Sequence, residues 1–336
     1  MADLTTDFMG LSMCSPIVVG ACEMTDKLNA VSEIEEAGAG AVVVKSLFEE
    51  QIQLEQFKWD EENAMYDALH PMMVTVGPHV DYPGPEAHMH TVKKIKAQSS
   101  IPVIASLNAV TRDTWLAYAE RLQDTGVDAL ELNLYASPRY AEHTAEAVES
   151  AQLSLLKEVA DVVEIPICVK LSAFYTNPLN MITRVSSQGV DAVVLFNRLF
   201  QPDIDPEKEE SVYPFNLSTR EDNRLPLRFM GLLHGEIEAD LCANTGILEG
   251  ADVEKMILAG ANCVEVVSAL YKQGIDHVAE MNGELRNRME RKGYSSLDDF
   301  RGKMSKRNSA DPWRYTRAQY VNLLMGGNPL GSEGGQ

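Results

Sequence analysis

No apolar run in this 336-residue chain approaches the ~20 residues that a membrane-spanning helix needs. Cysteine is sparse: Cys14, Cys22, Cys168, Cys242 and Cys263 are odd in number and scattered, without a C-x-x-C pair. That excludes a disulfide framework, a zinc site and a self-contained iron–sulfur cluster. Positive charge is also short, with 29 Lys+Arg against 50 Asp+Glu and a formal net charge of -21. Phosphate-rich partners would be repelled, so neither nucleic acid nor an anionic membrane is expected. The N-terminal stretch Met1-Ala2-Asp3-Leu4-Thr5-Thr6-Asp7 carries acids where a signal peptide carries positive charge, and a cytoplasmic location is expected. No G-x-G-x-x-G follows a strand, which removes support for direct nicotinamide binding. The seven histidines lack metal-ligand spacing with a partnering acid, so no metal is expected.

What the chain does have is one phrase repeated. Gly126-Val127-Asp128-Ala129-Leu130-Glu131-Leu132-Asn133-Leu134 is a helix-ending glycine, a small turn, an apolar strand and a polar end. The phrase recurs as Gly38–Ser46, Gly189–Asn197 and Gly260–Ser268. Each copy follows a helix-like segment, and this is the grammar of parallel β/α units. Eight core strands are expected, which favours an α/β fold of the (β/α)8 TIM-barrel type with long βα-loop insertions. Helices are expected near Asp26–Ala37, Glu86–Ala97, Arg112–Gln123, Ala145–Ala160, Leu179–Ser187, Leu225–Leu233, Val253–Leu258 and Ile275–Arg291. Residues 1–15 read as a hairpin or lid turning at Gly10-Leu11. Leu47–His70 reads as a polar excursion over the barrel mouth, Met72–Val76 as a strand, and 199–224 as an insertion without periodicity. The expected division is a barrel domain over 1–304 and a C-terminal extension over 305–336, with a disordered end.

The polar residue falls seven or eight positions after the glycine in each phrase, which puts the chemistry at the C-terminal strand ends. Lys45 and Lys170 each end an apolar strand. A single lysine there could merely reach water, but two suit an anionic cofactor or substrate. Thr245-Gly246 and Ser268 end the seventh and eighth units, where backbone N–H groups form a phosphate cradle in barrels of this type. Asn108, Asn133 and Asn197 also end strands, and amides that donate and accept together suit a planar heterocycle, although asparagine is equally a turn former.

These residues, in this order, resemble the FMN-dependent dihydroorotate dehydrogenases of the soluble class 1 type, from about Leu4 to Lys303. Leu11–Ile17 is similar to that family's opening segment, and Gly38–Ser46 to its G-A-G-A-x-x-x-K-S/T stretch. Glu131-Leu132-Asn133 matches its E-L-N, Val169-Lys170-Leu171 its V-K-L, and Asn244–Ile247 with Ser268–Tyr271 stands where its phosphate cradle lies. The resemblance implies that Ala21, Lys45, Ser46, Asn108, Asn133, Lys170, Asn197, Thr245, Gly246 and Ser268 bind FMN. Lys170 would stabilise the negative charge that the flavin gains on reduction. Asn133, Arg139, Asn197 and Arg198 would bind substrate. A homodimer and a soluble electron acceptor are further implications.

The loop after E-L-N departs from the family's x-S-C-P-N, reading Leu134-Tyr135-Ala136-Ser137-Pro138-Arg139. Aligned without a gap, the position of the proton-removing cysteine is Ala136. With one residue inserted it is Ser137, the expected catalytic base beside Lys170. The family's N-S-M-G-L-P-N stretch is replaced by Met72–Pro78, and its glycine pair before the seventh unit by Ser218-Thr219-Arg220-Glu221-Asp222-Asn223. Arg139 and Arg198 add positive charge where the family has small polar groups, so the expected substrate is dihydroorotate or a related, more acidic small anion. The alternatives are a flavin-binding partner or regulatory protein without dehydrogenase activity, and a barrel enzyme for a phosphorylated substrate without flavin.

Overall fold

A computed structural model describes residues 1–53, 84–135, 141–199, 201–214, 217–315 and 325. The chain opens with an antiparallel hairpin, β1 (Thr6–Phe8) and β2 (Leu11–Met13), turning at Met9-Gly10. β3 (Ile17–Val19), helix α1 (Leu28–Glu36) and β4 (Ala41–Phe48) follow. Then α2 (Pro85–Gln98), β5 (Val103–Asn108), α3 (Arg112–Gln123), β6 (Ala129–Leu134), α4 (Ala145–Val162), β7 (Ile167–Leu171), α5 (Pro178–Ser186) and β8 (Ala192–Leu195) alternate. An exposed antiparallel hairpin, β9 (Asp203–Asp205) and β10 (Glu210–Val212), interrupts the rhythm. It resumes with α6 (Arg224–Leu233), β11 (Asp240–Asn244), α7 (Gly250–Ala259), β12 (Cys263–Val266), α8 (Ser268–Gln273) and α9 (His277–Lys292). Strands β3 to β8, β11 and β12 pair parallel in chain order, and β12 pairs β3 to close the barrel. The (β/α)8 expectation holds.

The repeated glycines end helices as their sequence requires. Gly38, Gly126, Gly189 and Gly260 have φ of 84°, 85°, 84° and 125°, a region that costs a side-chain-bearing residue strain. Residues 199–224 form the expected insertion, and within it lie β9, β10 and a 3-10 turn at Arg220–Asn223. Three-residue strands exposed on both faces show no period-2 alternation, and Ile204 points to solvent. β4 is longer than expected because its register with β5 shifts between Val44 and Leu47, carrying the strand on to Phe48. The expected strand Met72–Val76 and most of the polar excursion lie outside the described residues.

Alternation along each strand divides the core in two. Ile17, Val42, Ala105, Leu132, Val169, Leu195, Ala243 and Val264 face outward and pack under the helices. Val18, Val43, Ile104, Ala129, Cys168, Val194, Cys242 and Cys263 face inward and fill the barrel, with Phe8, Met9 and Met13 of the hairpin packed against them. Cys168, Cys242 and Cys263 are thus small core residues. Beyond Met304 the described chain keeps packing on the barrel: Ser305 is fully buried, Lys306 donates its N–H to the Gly231 carbonyl at 2.8 Å, and Tyr315 lies against Gly231 of α6.

Candidate functional site

One step further along the inward-facing rows, toward the C-terminal strand ends, the interior turns polar. Ser106 follows Ile104, Glu131 follows Ala129, Lys170 follows Cys168 and Glu265 follows Cys263, each two residues on and so on the same face. The Lys170 ammonium donates to Glu265 Oε1 at 2.5 Å and lies 3.7 Å from Glu131 Oε1. Ser106 Oγ donates to Glu131 Oε1 at 3.1 Å and shares a 2.7 Å hydrogen bond with Ser46 Oγ. Both carboxylate side chains are 1% exposed and the lysine 7%. Gly20 makes this possible, because a Cβ there would lie 2.1 Å from Glu265 Oε1.

One cation thus faces two carboxylates away from water. Burial first, and then the neighbouring Glu265 carboxylate, push the Glu131 carboxyl from the usual 4.5 up to about 8, against the pull of Lys170. For Lys170, burial disfavours the ammonium, but the Glu131 and Glu265 charges and the Glu265 hydrogen bond outweigh it. Its pKa is held well above the ordinary lysine value. Glu131 Oε2 is buried without a hydrogen-bond partner among the described residues, as suits a carboxyl that keeps a proton in the neutral range.

Ser46, Lys170 and Glu265 of this cluster line a cavity of about 630 Å³ at the mouth of the barrel, within the range of roughly 300–1,000 Å³ typical of small-molecule sites. Ala21, Lys45, Ser46, Asn133, Lys170, Asn197, Arg198, Thr245, Gly246 and Ser268, all predicted site residues, line it. Asn197 Nδ2, just past the end of β8, donates to Asn133 Oδ1 at 2.7 Å, and Asn133 on β6 pairs in register with Lys170 on β7, so the two amides hold each other in place across the intervening strand. Asn108 lines a neighbouring cavity, and its Nδ2 donates to the Asn133 carbonyl at 3.2 Å. It supports Asn133 from behind. Arg198 reaches the cavity but also pairs with Asp222 at 2.8 Å, so its charge is already shared. Ser137 and Arg139 lie outside the described residues.

At the cavity's other end Thr245 and Gly246 both have positive φ, 81° and 75°. Gly246 donates its N–H to Ser218 Oγ at 3.1 Å, and Ser218 donates its own to Ser268 Oγ at 3.0 Å. Two hydroxyls and a tight backbone turn therefore converge beside the start of α8. Ser218 stands in the stretch that replaces the family's glycine pair. Glu265 and Ser218 are among the lining residues that sequence reasoning missed. The signal for Glu265 was present in the alternation Cys263-Glu265, parallel to Cys168-Lys170; an acid inside an apolar strand has to find a partner.

The family model for dihydroorotate dehydrogenase matches residues 3–289 of the chain. The chain belongs to the dihydroorotate dehydrogenase family. Among its relatives, the catalytic subunit of dihydroorotate dehydrogenase B (NAD(+)) from Thermoplasma volcanium is 25% identical, over 91% of this chain and all of the relative. The protein of the same description from Methanosarcina acetivorans is 29% identical, over 87% of this chain and 93% of its own length. A putative dihydroorotate dehydrogenase A (fumarate) from Aeropyrum pernix is 26% identical over 80% and 87%. Members of the family are FMN-dependent oxidoreductases acting on CH–CH groups.

The residues present fit FMN. A Cβ on Gly246 would meet the Asn223 nitrogen at 2.4 Å and the Thr219 oxygen at 2.7 Å, so this backbone is as close as glycine allows. Around it the hydroxyls of Ser218 and Ser268 supply the donors that a phosphate takes, as do the first N–H groups of α8, which have no intrahelical acceptor. Opposite, paired amides and two lysines suit a planar ring that gains negative charge.

Proposed function

We propose that this protein oxidises dihydroorotate, or a related small anion, by hydride transfer to FMN. The cavity that brings the paired amides and both lysines opposite the Gly246 turn carries this reading. FMN, when bound, supplies the hydride acceptor. Ser218, Thr245, Gly246 and Ser268 hold its phosphate, and Asn133 and Asn197 orient ring and substrate through their mutual hydrogen bond. Lys45 and Lys170 keep positive charge at the floor, and Arg198 with Arg139 draws in an anionic substrate. Ser137 is the proposed base that takes the substrate proton. A soluble acceptor fits relatives whose names carry NAD(+) and fumarate. A homodimer in the cytoplasm completes the reading; among the described residues no helix is long and apolar enough to cross a membrane.

Anaerobic mixing of the purified flavoprotein with dihydroorotate tests it. The yellow absorbance should bleach, and Ser137→Ala should slow bleaching on the order of a hundredfold or more. Unchanged bleaching in that variant removes Ser137 from the reaction. A yellow protein that only a more acidic analogue bleaches narrows the substrate to that analogue. A protein that neither carries nor takes up FMN overturns the reading.

A further inference from the structure

We propose that Glu265 is a positioning residue that offsets the charge of Lys170 and so lowers the preference of the site for reduced over oxidised FMN. The inference rests on the FMN reading above and concerns how strongly that same cavity favours reduction. A lone buried lysine on the floor would attract the negative charge that a flavin gains on reduction, strongly so because the surroundings are poor in water. The lysine here is not alone. Glu265 lines the cavity with it and contacts its ammonium at 2.5 Å. Glu131 Oε1 stands 3.7 Å from the same ammonium.

The chain makes room for this carboxylate. A Cβ on Gly20 would lie 2.1 Å from Glu265 Oε1, so glycine there leaves open the space that the carboxylate occupies. A purely structural reading would treat the pair as a filler of the barrel core, yet a buried ion pair is weak support for stability compared with apolar packing. The layer just below, with Cys168, Cys242 and Cys263, is filled without charge. The carboxylate stands where the apolar filling ends and the cavity begins. There it determines how much of the lysine's field reaches a ligand.

Redox titration of the FMN-loaded protein against a reference dye tests the proposal in the parent, Glu265→Asp and Glu265→Gln. Removing the charge while keeping the shape, as in Glu265→Gln, should increase the affinity for reduced relative to oxidised FMN at least tenfold, an upward shift of about 30 mV for a two-electron couple. Glu265→Asp, which keeps a charge but withdraws it from Lys170, should fall between Glu265→Gln and the parent. A flavin-loaded Glu265→Gln with the parental potential overturns this proposal and leaves the FMN reading intact. If Glu265→Gln does not fold, Glu265→Asp decides, and a parental potential there overturns it. A parent that takes up no FMN overturns both readings at once.

Discussion

The ammonium of Lys170 on β7 meets the carboxylate of Glu265 on β12 at 2.5 Å across the barrel interior, with Glu131 of β6 beside them. The two acids depend on the one lysine. Lys170→Met leaves two buried carboxyls without a cation, a change that costs about 3–5 kcal/mol when a buried charge is left uncompensated. Protonation offers an escape, because a buried acid can neutralise itself by taking up a proton. The variant should therefore be several kcal/mol less stable than the parent at pH 8, and the gap should narrow at pH 5.5. Urea denaturation at the two pH values measures this; a gap independent of pH would show that the acids do not feel the loss.

Glu131 makes stability fall with rising pH in a definite window. The folded protein keeps the Glu131 proton up to about pH 8, while the unfolded chain releases it near the usual 4.5. Between those values the folded state binds more protons, so its stability is complete below about 4.5 and is lost progressively as pH rises toward 8. In Glu131→Gln this titration is gone. The difference in unfolding free energy between parent and variant should shift in favour of the variant between pH 5 and 8, by an amount on the order of a few kcal/mol. A constant difference across that range would mean that Glu131 ionises in the folded protein as it does in the unfolded one.

The glycine phrases made the barrel legible from sequence, because helix-ending glycine and apolar strand are local signals that tertiary packing does not need to complete. Lys170, Asn133 and Asn197 reached the cavity for a related reason: each lies at or just past the C-terminal end of a strand, and barrel geometry brings strand ends together, while Lys45 lines the same cavity from three residues before the end of the longer β4. Glu265 was hidden because its role comes from three strands at once; only closure of β12 onto β3 brings it under Lys170. Asn108 occupies the same place in its strand as Asn133, yet it faces the neighbouring cavity and bonds the Asn133 carbonyl. Ser218 depends on a contact fifty residues away, with Ser268, which no local pattern contains. The β9–β10 hairpin escaped because its strands carry no buried face to set a period.

Gly246→Ala tests the phosphate end by itself. The glycine's φ is 75°, and a Cβ would press on backbone atoms of Asn223 and Thr219 at 2.4 and 2.7 Å, neither of which can rotate away. The turn from Thr219 to Asn223 would have to move, and with it the Ser218 hydroxyl that accepts the Gly246 N–H. Positive φ without glycine costs about 1–3 kcal/mol by itself, and the displaced donors should weaken FMN binding at least tenfold. Gly283→Ala is the control: it sits in α9 with open space around its Cβ position, and helix propensity gains about 1 kcal/mol there. Titration of the apoprotein with FMN, followed by quenching of flavin fluorescence, should separate the two variants, with parental affinity in Gly283→Ala only. Equal affinity in both would move the phosphate away from the Gly246 turn, and the search for it to the part of the mouth lined by Arg198 and Lys45.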